Sequence, residues 1–383
     1  MTETENRLNT IPEDQKGSFA SFLKTLSSFT GDLSKLTCPS FLLDSKSLLE
    51  LSSYWADHPE IMVDAPKGST EEDRFYGAIK WFISALNGGF STRVPNGGWE
   101  KKPFNPILGE QYFCTWQNGT RATCEQVCHH PPISAFKVEN EEAGVSFTVN
   151  DAQRTRFSGT QLLVDQIGYC LMEMKGHNER YLFSLPSISV NGLWYAAPYT
   201  ELFGTSYVQS STGFFATIEY STKGWIHGDY HYFKATINHR TLLKDGPTII
   251  KGQWTKKSTI TKHKQKSETF LDLSKLQSPP VTVSPISEQS PLESQKVWEK
   301  VSKALKAGDY QTASIEKSIV ENNQRALRKE REEKGEEWKP VYFEETTSVE
   351  LFGELKDLII INSNNKFNNT FDEKAWKAKE GKN

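Results

Sequence analysis

The sequence predicts a mainly β protein with flanking helices, its strands numerous enough to curl into a large antiparallel barrel or partial barrel around a cavity. Three observations carry this. From about Leu108 to Leu273 the apolar residues recur with period two, as in Val145, Phe147, Val149, then Phe214, Ala216, Ile218, Tyr220, then Phe233, Ala235, Ile237. Turn signals at Gln117-Asn118-Gly119, Gly224, Gly228 and Lys244-Asp245-Gly246-Pro247 divide that stretch into short strands. On either side of it the period is helical.

The elements follow in order. A polar leader of about sixteen residues precedes SFASFLKTLSSFTGDL, in which Phe19, Phe22, Leu23, Leu26 and Phe29 have helical spacing before Thr30-Gly31-Asp32 stops the helix. Its other face carries serines and threonine with Lys24 alone charged, so it lacks the Lys/Arg-rich face of an electrostatic membrane binder. Amphipathicity alone leaves two readings open, a helix docked on the core and a mobile lid that touches lipid. Two more helices are predicted, Ser45 to Trp55 and Thr70 to Leu86; the second has an apolar stripe of Phe75, Ile79, Phe82 and Leu86 behind an acidic first turn. After the strands, Gln277 to Pro291 mixes four prolines with serines and reads as a connector. Helices resume over Pro291 to Ala307, stopped by Gly308, and from Tyr310 into RALRKEREEKGEE. The Asn/Lys-rich tail beyond Asn362 is expected to be loose. The expected units are 1–32 (leader and lid), 33–90 (helical segment), 91–276 (barrel), 277–290 (connector) and 291–383 (C-terminal helical subdomain with its tail).

Composition narrows the function classes. The chain has 383 residues, 36% hydrophobic and 12% aromatic, enough to bury a large core. A net charge of -3 offers no general attraction to nucleic acid or anionic membrane, so a polyanion needs a local basic cluster. Five scattered cysteines suit a reducing cytosol better than a disulfide framework. There is neither a basic n-region followed by an apolar core nor a run of about eighteen apolar residues, so a protein neither secreted nor membrane-spanning is expected. In that setting the sequons at Asn118 and Asn368 should stay unmodified.

The segment Glu125 to Pro132, EQVCHHPP, places two histidines before a Pro-Pro pair, which favours extended backbone. On a regular strand His129 and His130 would face opposite sides, which disfavours joint chelation of one metal. A zinc site from Cys124, Cys128, His129 and His130 has none of the usual spacings, and a Cys128 nucleophile would need a base positioned in space. Two histidines capping a barrel rim, or one imidazole binding an anion, remain open. Shortly before, EKKPFNPILGE sets Lys102 and Asn105 on a loop stiffened by Pro103 and Pro106. Such groups, with free backbone N–H, are what a phosphate site requires. Farther on, Lys317, Glu321 and Arg325 stand at i, i+4 and i+8, which is equally the pattern of a solvated helix face.

Together, EKKPFNPILGE, EQVCHHPP, SSTGF from Ser210 and GQW from Gly252 resemble the oxysterol-binding-protein-related family, in particular its short yeast Kes-type members. The order and spacing of SFASFLKTL, SSYWADHPE, KWFISAL, PLES and NNQRALRKE extend the likeness over most of the chain. The resemblance implies a nearly complete antiparallel barrel around a lipid tunnel, closed by a lid comprising Phe19, Phe22, Leu23, Leu26, Phe29 and Leu33. It also implies that phosphatidylinositol 4-phosphate is held by Lys102, Asn105, His129, His130, Lys317, Glu321 and Arg325. For a second lipid, sterol first, the resemblance points to Trp55, Phe90, Asn150 and Gln166.

Two departures stand out. Gly89-Phe90 occupies the place of the family's Gln-Tyr pair, removing an amide and a phenol from beside a sterol hydroxyl, and a buried hydroxyl without partners is costly. Asp229 and Tyr230 replace a basic pair, with Lys223 keeping one charge. The implied protein is a non-enzymatic, monomeric lipid exchanger without cofactor or metal. It would be cytoplasmic, bind no nucleic acid, and touch membranes such as Golgi or endoplasmic reticulum transiently.

Overall fold

Burial of a helix on nearly every side decides how the rest of the chain is arranged. The computed structural model describes residues 13–29, 33, 38–91, 101–195, 198–222, 229–243, 246–355 and 374–381. The start of the leader and the turn signals at Gly224, Gly228, Lys244 and Asp245 lie outside these. Helix α1, Lys16–Ser28, buries Phe19, Leu23 and Leu26 against Leu33, Phe41, Leu42 and Leu193, with Phe22 and Phe29 at the margin. It is docked in this structure.

The stretch expected as a helix over Ser45 to Trp55 forms instead strand β1, Leu43–Ser47, and a 3-10 helix, Glu50–Ala56. Tertiary partners override the local period. Leu43 pairs with Lys102 and packs beside Phe104 and Trp298, whereas Leu49 and Trp55 join the main core, and Glu50 Oε1 accepts from Ser47 N at 2.9 Å to turn the chain between them. After the short α2, Pro59–Asp64, a capping box at Thr70 starts α3, Glu71–Phe90. Trp81, Phe82, Ile83 and Ala85 are all buried, so α3 is a core helix rather than a one-sided stripe. Strand β2, Lys102–Phe104, lies parallel to β1.

Among the described residues the predicted antiparallel region is one sheet of thirteen strands: β3 Gln111–Thr115, β4 Arg121–His129, β5 Pro132–Asn140, β6 Val145–Phe157, β7 Leu162–Met174, β8 Glu179–Ser184, β9 Ser187–Asn191, β10 Tyr199–Ser210, β11 Phe214–Ser221, β12 Tyr232–His239, β13 Thr248–Gln253, β14 Lys257–Thr261 and β15 Glu268–Asp272. Neighbours in sequence are neighbours in the sheet, except that β9 bridges β7 and β10. Its inner face wraps α3: Phe82 stacks on Phe183 at 4.8 Å and Phe75 on Phe214 at 5.4 Å between centroids.

Among the described residues the strand ladder is open between β15 and β3. The Pro-rich connector covers that edge, with Thr115 and Thr282 exchanging backbone hydrogen bonds and Gln111 N donating to Leu292 O at 2.8 Å. It therefore does more than join two regions, since it satisfies the edge of the first strand.

Beyond it the predicted helix 291–307 is two helices, α4 Ser294–Val297 and α5 Glu299–Lys306, broken at Trp298, whose indole donates to buried Glu110 at 2.9 Å. Helix α6 runs Tyr310–Lys334, N-capped by Asp309 and ended by Gly335 at φ +66°. The C-terminal region is not purely helical. Strand β16, Phe343–Thr346, and α7, Ser348–Phe352, precede β17, Ala375–Ala378, which pairs with β16 inside the expected loose tail. Ala375 and Trp376 are buried against the outer face of β5 to β7, which gives that part of the tail a reason to order.

Candidate functional site

Three segments distant in sequence meet at one rim. Pairing with β1 and the flanking prolines hold Lys102 and Asn105, and Lys102 Nζ donates to Asn105 Oδ1 at 2.7 Å. Lys102 is open to solvent on one side, yet protein crowds its ammonium from the others; that burial lowers its pKa, and the nearby Lys317 lowers it further against the opposing Cys38 and Glu321. Lys317 bonds Glu321, and Glu321 lies 3.8 Å from Arg325, so the carboxylate braces two cations along one face of α6.

The histidines come together despite the alternation of a strand. His129 is the last residue of β4, while His130 and a cis-linked Pro131 form the turn into β5, so their rings meet edge to face at 4.7 Å. Arg328 Nη1 lies 2.8 Å from His130 Nε2. Arginine has only donors, so Nε2 accepts and the ring proton sits on Nδ1. Burial lowers the pKa of His129, with His130 and Arg328 adding to the effect, and His129 Nδ1 has no hydrogen-bond partner among the described residues.

Arg328 was missed in the sequence. It stands eleven residues after Lys317, within about 20° of it on a helix and about 16 Å along the axis, so the stripe of Lys317, Glu321 and Arg325 could have been extended to it. Lys102, Lys317, Arg325 and Arg328 thus gather positive charge on a protein whose net charge is -3. Lys102 and Lys317 are close enough to repel each other, a repulsion that an anion would screen, and guanidinium, ammonium, amide and imidazole are phosphate-binding groups.

The zinc alternative finds no support in the placement of its residues. Cys124 faces the inner core, where burial holds its thiol well above the usual range, while Cys128 packs with the outer-face cluster. No group of three or more potential metal ligands exists among the described residues.

Inside the sheet the second set of residues divides. Trp55 packs on Phe136 and Phe82 at 6.1 and 6.4 Å, Phe90 belongs to the same inner core, and Gln166 faces inward with its amide donating to Pro186 O at 2.6 Å. Asn150 points the other way. Its side chain donates to Trp376 O at 3.0 Å and accepts from Trp376 N at 2.7 Å, pinning β17 to the outer face. Val145, Phe147 and Val149 set the inward parity of β6, and the inward neighbour of Asn150 is Asp151. A shift of one residue exchanges the faces of a strand.

Asp151 belongs to a polar rung, with Gln126, Ser134, Asp151 and Gly168 opposite one another on β4 to β7. Ser134 donates to Gln126 at 2.6 Å, and Gln153 donates to Asp151 Oδ2 at 3.2 Å, whereas Asp151 Oδ1 has no partner among the described residues. Burial pushes the Asp151 carboxyl up to about 7. Along β6 the inward positions change at this rung from fully buried (Val145, Phe147, Val149) to partly buried (Asp151, Gln153, Thr155), as the wall of an internal space would. Gly89 adds a second sign of space: the residue is buried, yet a Cβ placed on it meets nothing within 4 Å among the described residues.

A curled sheet with a cationic rim and a partly polar inner face offers groups for both ends of an amphipathic molecule. The oxysterol-binding protein family pattern matches residues 18–306 and 300–382, and the chain belongs to that family. It is 43% identical to Protein kes1 of Schizosaccharomyces pombe over 86% of this chain and 87% of that one, and 40% identical to Protein KES1 of Mycosarcoma maydis over 84% and 86%. Among solved structures, the Osh1 ORD domain in complex with cholesterol superposes with a TM-score of 0.71 at 19% identity, over 90% of this chain and 92% of that one. The Osh3 ORD in complex with PI(4)P from Saccharomyces cerevisiae does so with 0.68 at 22% identity, over 88% and 90%. No helix among the described residues is long and apolar enough to cross a membrane.

Proposed function

We propose that the chain extracts phosphatidylinositol 4-phosphate and exchanges it between membranes for a second lipid, sterol first. One observation carries the reading: Lys102 and Asn105, the His129–His130 turn, and the Lys317 to Arg328 stripe converge on one rim although about two hundred residues separate the first from the last. The ligands of the Osh1 and Osh3 domains support the choice of lipids.

In this mechanism the phosphate lies among the cations, where it relieves the repulsion between Lys102 and Lys317 and favours protonated His129. Acyl chains or a sterol body occupy the interior, with the polar end of the second lipid near Asp151 and Gln166 rather than Asn150. Helix α1 closes over the apolar part, and at a bilayer its Phe and Leu side chains exchange protein contacts for lipid. No covalent step is needed.

Transfer of each lipid between donor and acceptor vesicles tests the proposal. His129→Ala with His130→Ala should abolish phosphoinositide extraction, and Arg328→Ala should weaken it by about tenfold or more, the worth of a charge-assisted hydrogen bond. Uptake of the other lipid should remain in both. Binding without movement of lipid at any protein concentration would overturn exchange in favour of a lipid-dependent sensor.

A further inference from the structure

Four aromatic residues are strongly exposed among the described residues, and three of them gather at one end of the sheet: Trp194 at 46%, Tyr199 at 42% and Tyr230 at 45%, with Phe215 elsewhere. Trp194 is in the loop of the β9–β10 hairpin, Tyr199 begins β10 opposite Asn191, and Tyr230 precedes β12. Tyr199 and Tyr230 meet edge to face at 5.6 Å, so two connections form one surface.

These rings are held in place rather than loosely displayed. The Trp194 indole donates to Gly159 O at 3.2 Å and lies edge-on to Phe157 at 6.4 Å, tying the β9–β10 loop to the end of β6. Its neighbour Leu193 is buried under α1, with Phe157, Leu162 and Val190 partly buried against the same cluster. The surface is therefore continuous with the seat of the lid, and register puts it at the same end of the sheet as the histidine turn, where β4 passes into β5.

We propose that Trp194, Tyr199 and Tyr230 form a docking surface for the interface of a zwitterionic bilayer, setting the protein down with the lid toward the membrane. Indole and phenol combine an apolar body with a polar edge and partition to the headgroup level of a bilayer. Immediately beside the three rings the described charges do not build a cationic patch. Arg156 is paired with Asp165 at 3.3 Å, and Asp229 adds a negative charge beside Tyr230. Because the attraction is apolar and interfacial, it should be nearly indifferent to salt. The inference does not depend on which lipids the interior carries.

Co-sedimentation of the full chain with phosphatidylcholine vesicles provides the test. W194A/Y199A/Y230A should lower partitioning by about tenfold or more. The wild type should bind these vesicles almost equally between about 0.05 and 0.5 M salt. Unchanged far-ultraviolet circular dichroism and unchanged binding of a water-soluble, short-chain phosphoinositide would show that fold and headgroup rim survive in the variant. Three results would overturn the proposal: partitioning of the triple variant equal to wild type, wild-type binding restricted to phosphatidylserine vesicles and lost with salt, or sedimentation velocity showing that the three rings instead hold two copies of the chain together.

Discussion

Strands β11 and β4 belong to the same sheet but bury it differently. Along β11 buried and more exposed positions alternate, with Phe214, Ala216, Ile218 and Tyr220 inside and Phe215, Glu219 and Ser221 outside. From Ala122 to Val127, β4 is buried at every position, and β6 and β7 bury Asn150, Ala152, Ile167 and Tyr169 on the outer side as well. The cause is β16–β17 with α7, which covers that half of the outer face with Phe343, Phe352 and Trp376. A half-covered strand declares its inner face by alternation, whereas a strand covered on both faces does not.

Removing the cover should give the largest effect. Trp376→Ala is expected to destabilise the fold by about 3 to 5 kcal/mol, measured by denaturant unfolding, since it deletes a buried indole from the second core. Near-zero cost would show that the C-terminal cover is an accessory rather than part of the cooperative unit.

The next test compares adjacent residues. Asn150→Ala leaves both backbone groups of Trp376 without their partner and should cost about 2 to 3 kcal/mol, with little pH dependence. Asp151→Asn should do the opposite. A carboxyl raised from 3.8 to about 7 binds a proton that the unfolded chain has already released, so the folded state loses stability as pH rises through that window. Asp151→Asn removes this loss, and thermal melts should show the variant gaining on wild type at pH 8 relative to pH 4. A pH-independent difference would mean that Asp151 does not titrate in this way. The smallest change is expected on the open face of β11, where Glu219→Ala should stay within about 0.5 kcal/mol. A larger cost would place an unseen cover on that half too.

The same contrast explains what could be read in advance. The residues proposed to hold the headgroup carry charged or polar types in compact motifs, so Lys102 with Asn105, the histidine pair, and the Lys317–Arg325 spacing were visible. The inner wall was legible only as far as alternation showed it. On β6, Asn150 and Asp151 are both polar and adjacent, and nothing local says which looks inward. The strand-and-turn fate of Ser45 to Ala56 was hidden for a related reason, because the partners of Leu43, Phe104 and Trp298, are remote in sequence.

By itself the sequence determined the antiparallel character, the approximate limits of the β region, the amphipathic N-terminal helix and the chemistry of the rim groups. These depend on side-chain period and residue type, which are local. Tertiary structure alone decided that α3 is buried on nearly all sides, that His129 and His130 meet at a turn within reach of Arg328, and that the tail returns as β17 to turn Asn150 into a clamp. Those outcomes depend on which surfaces cover which, and a strand's own pattern cannot reveal a cover supplied more than two hundred residues away.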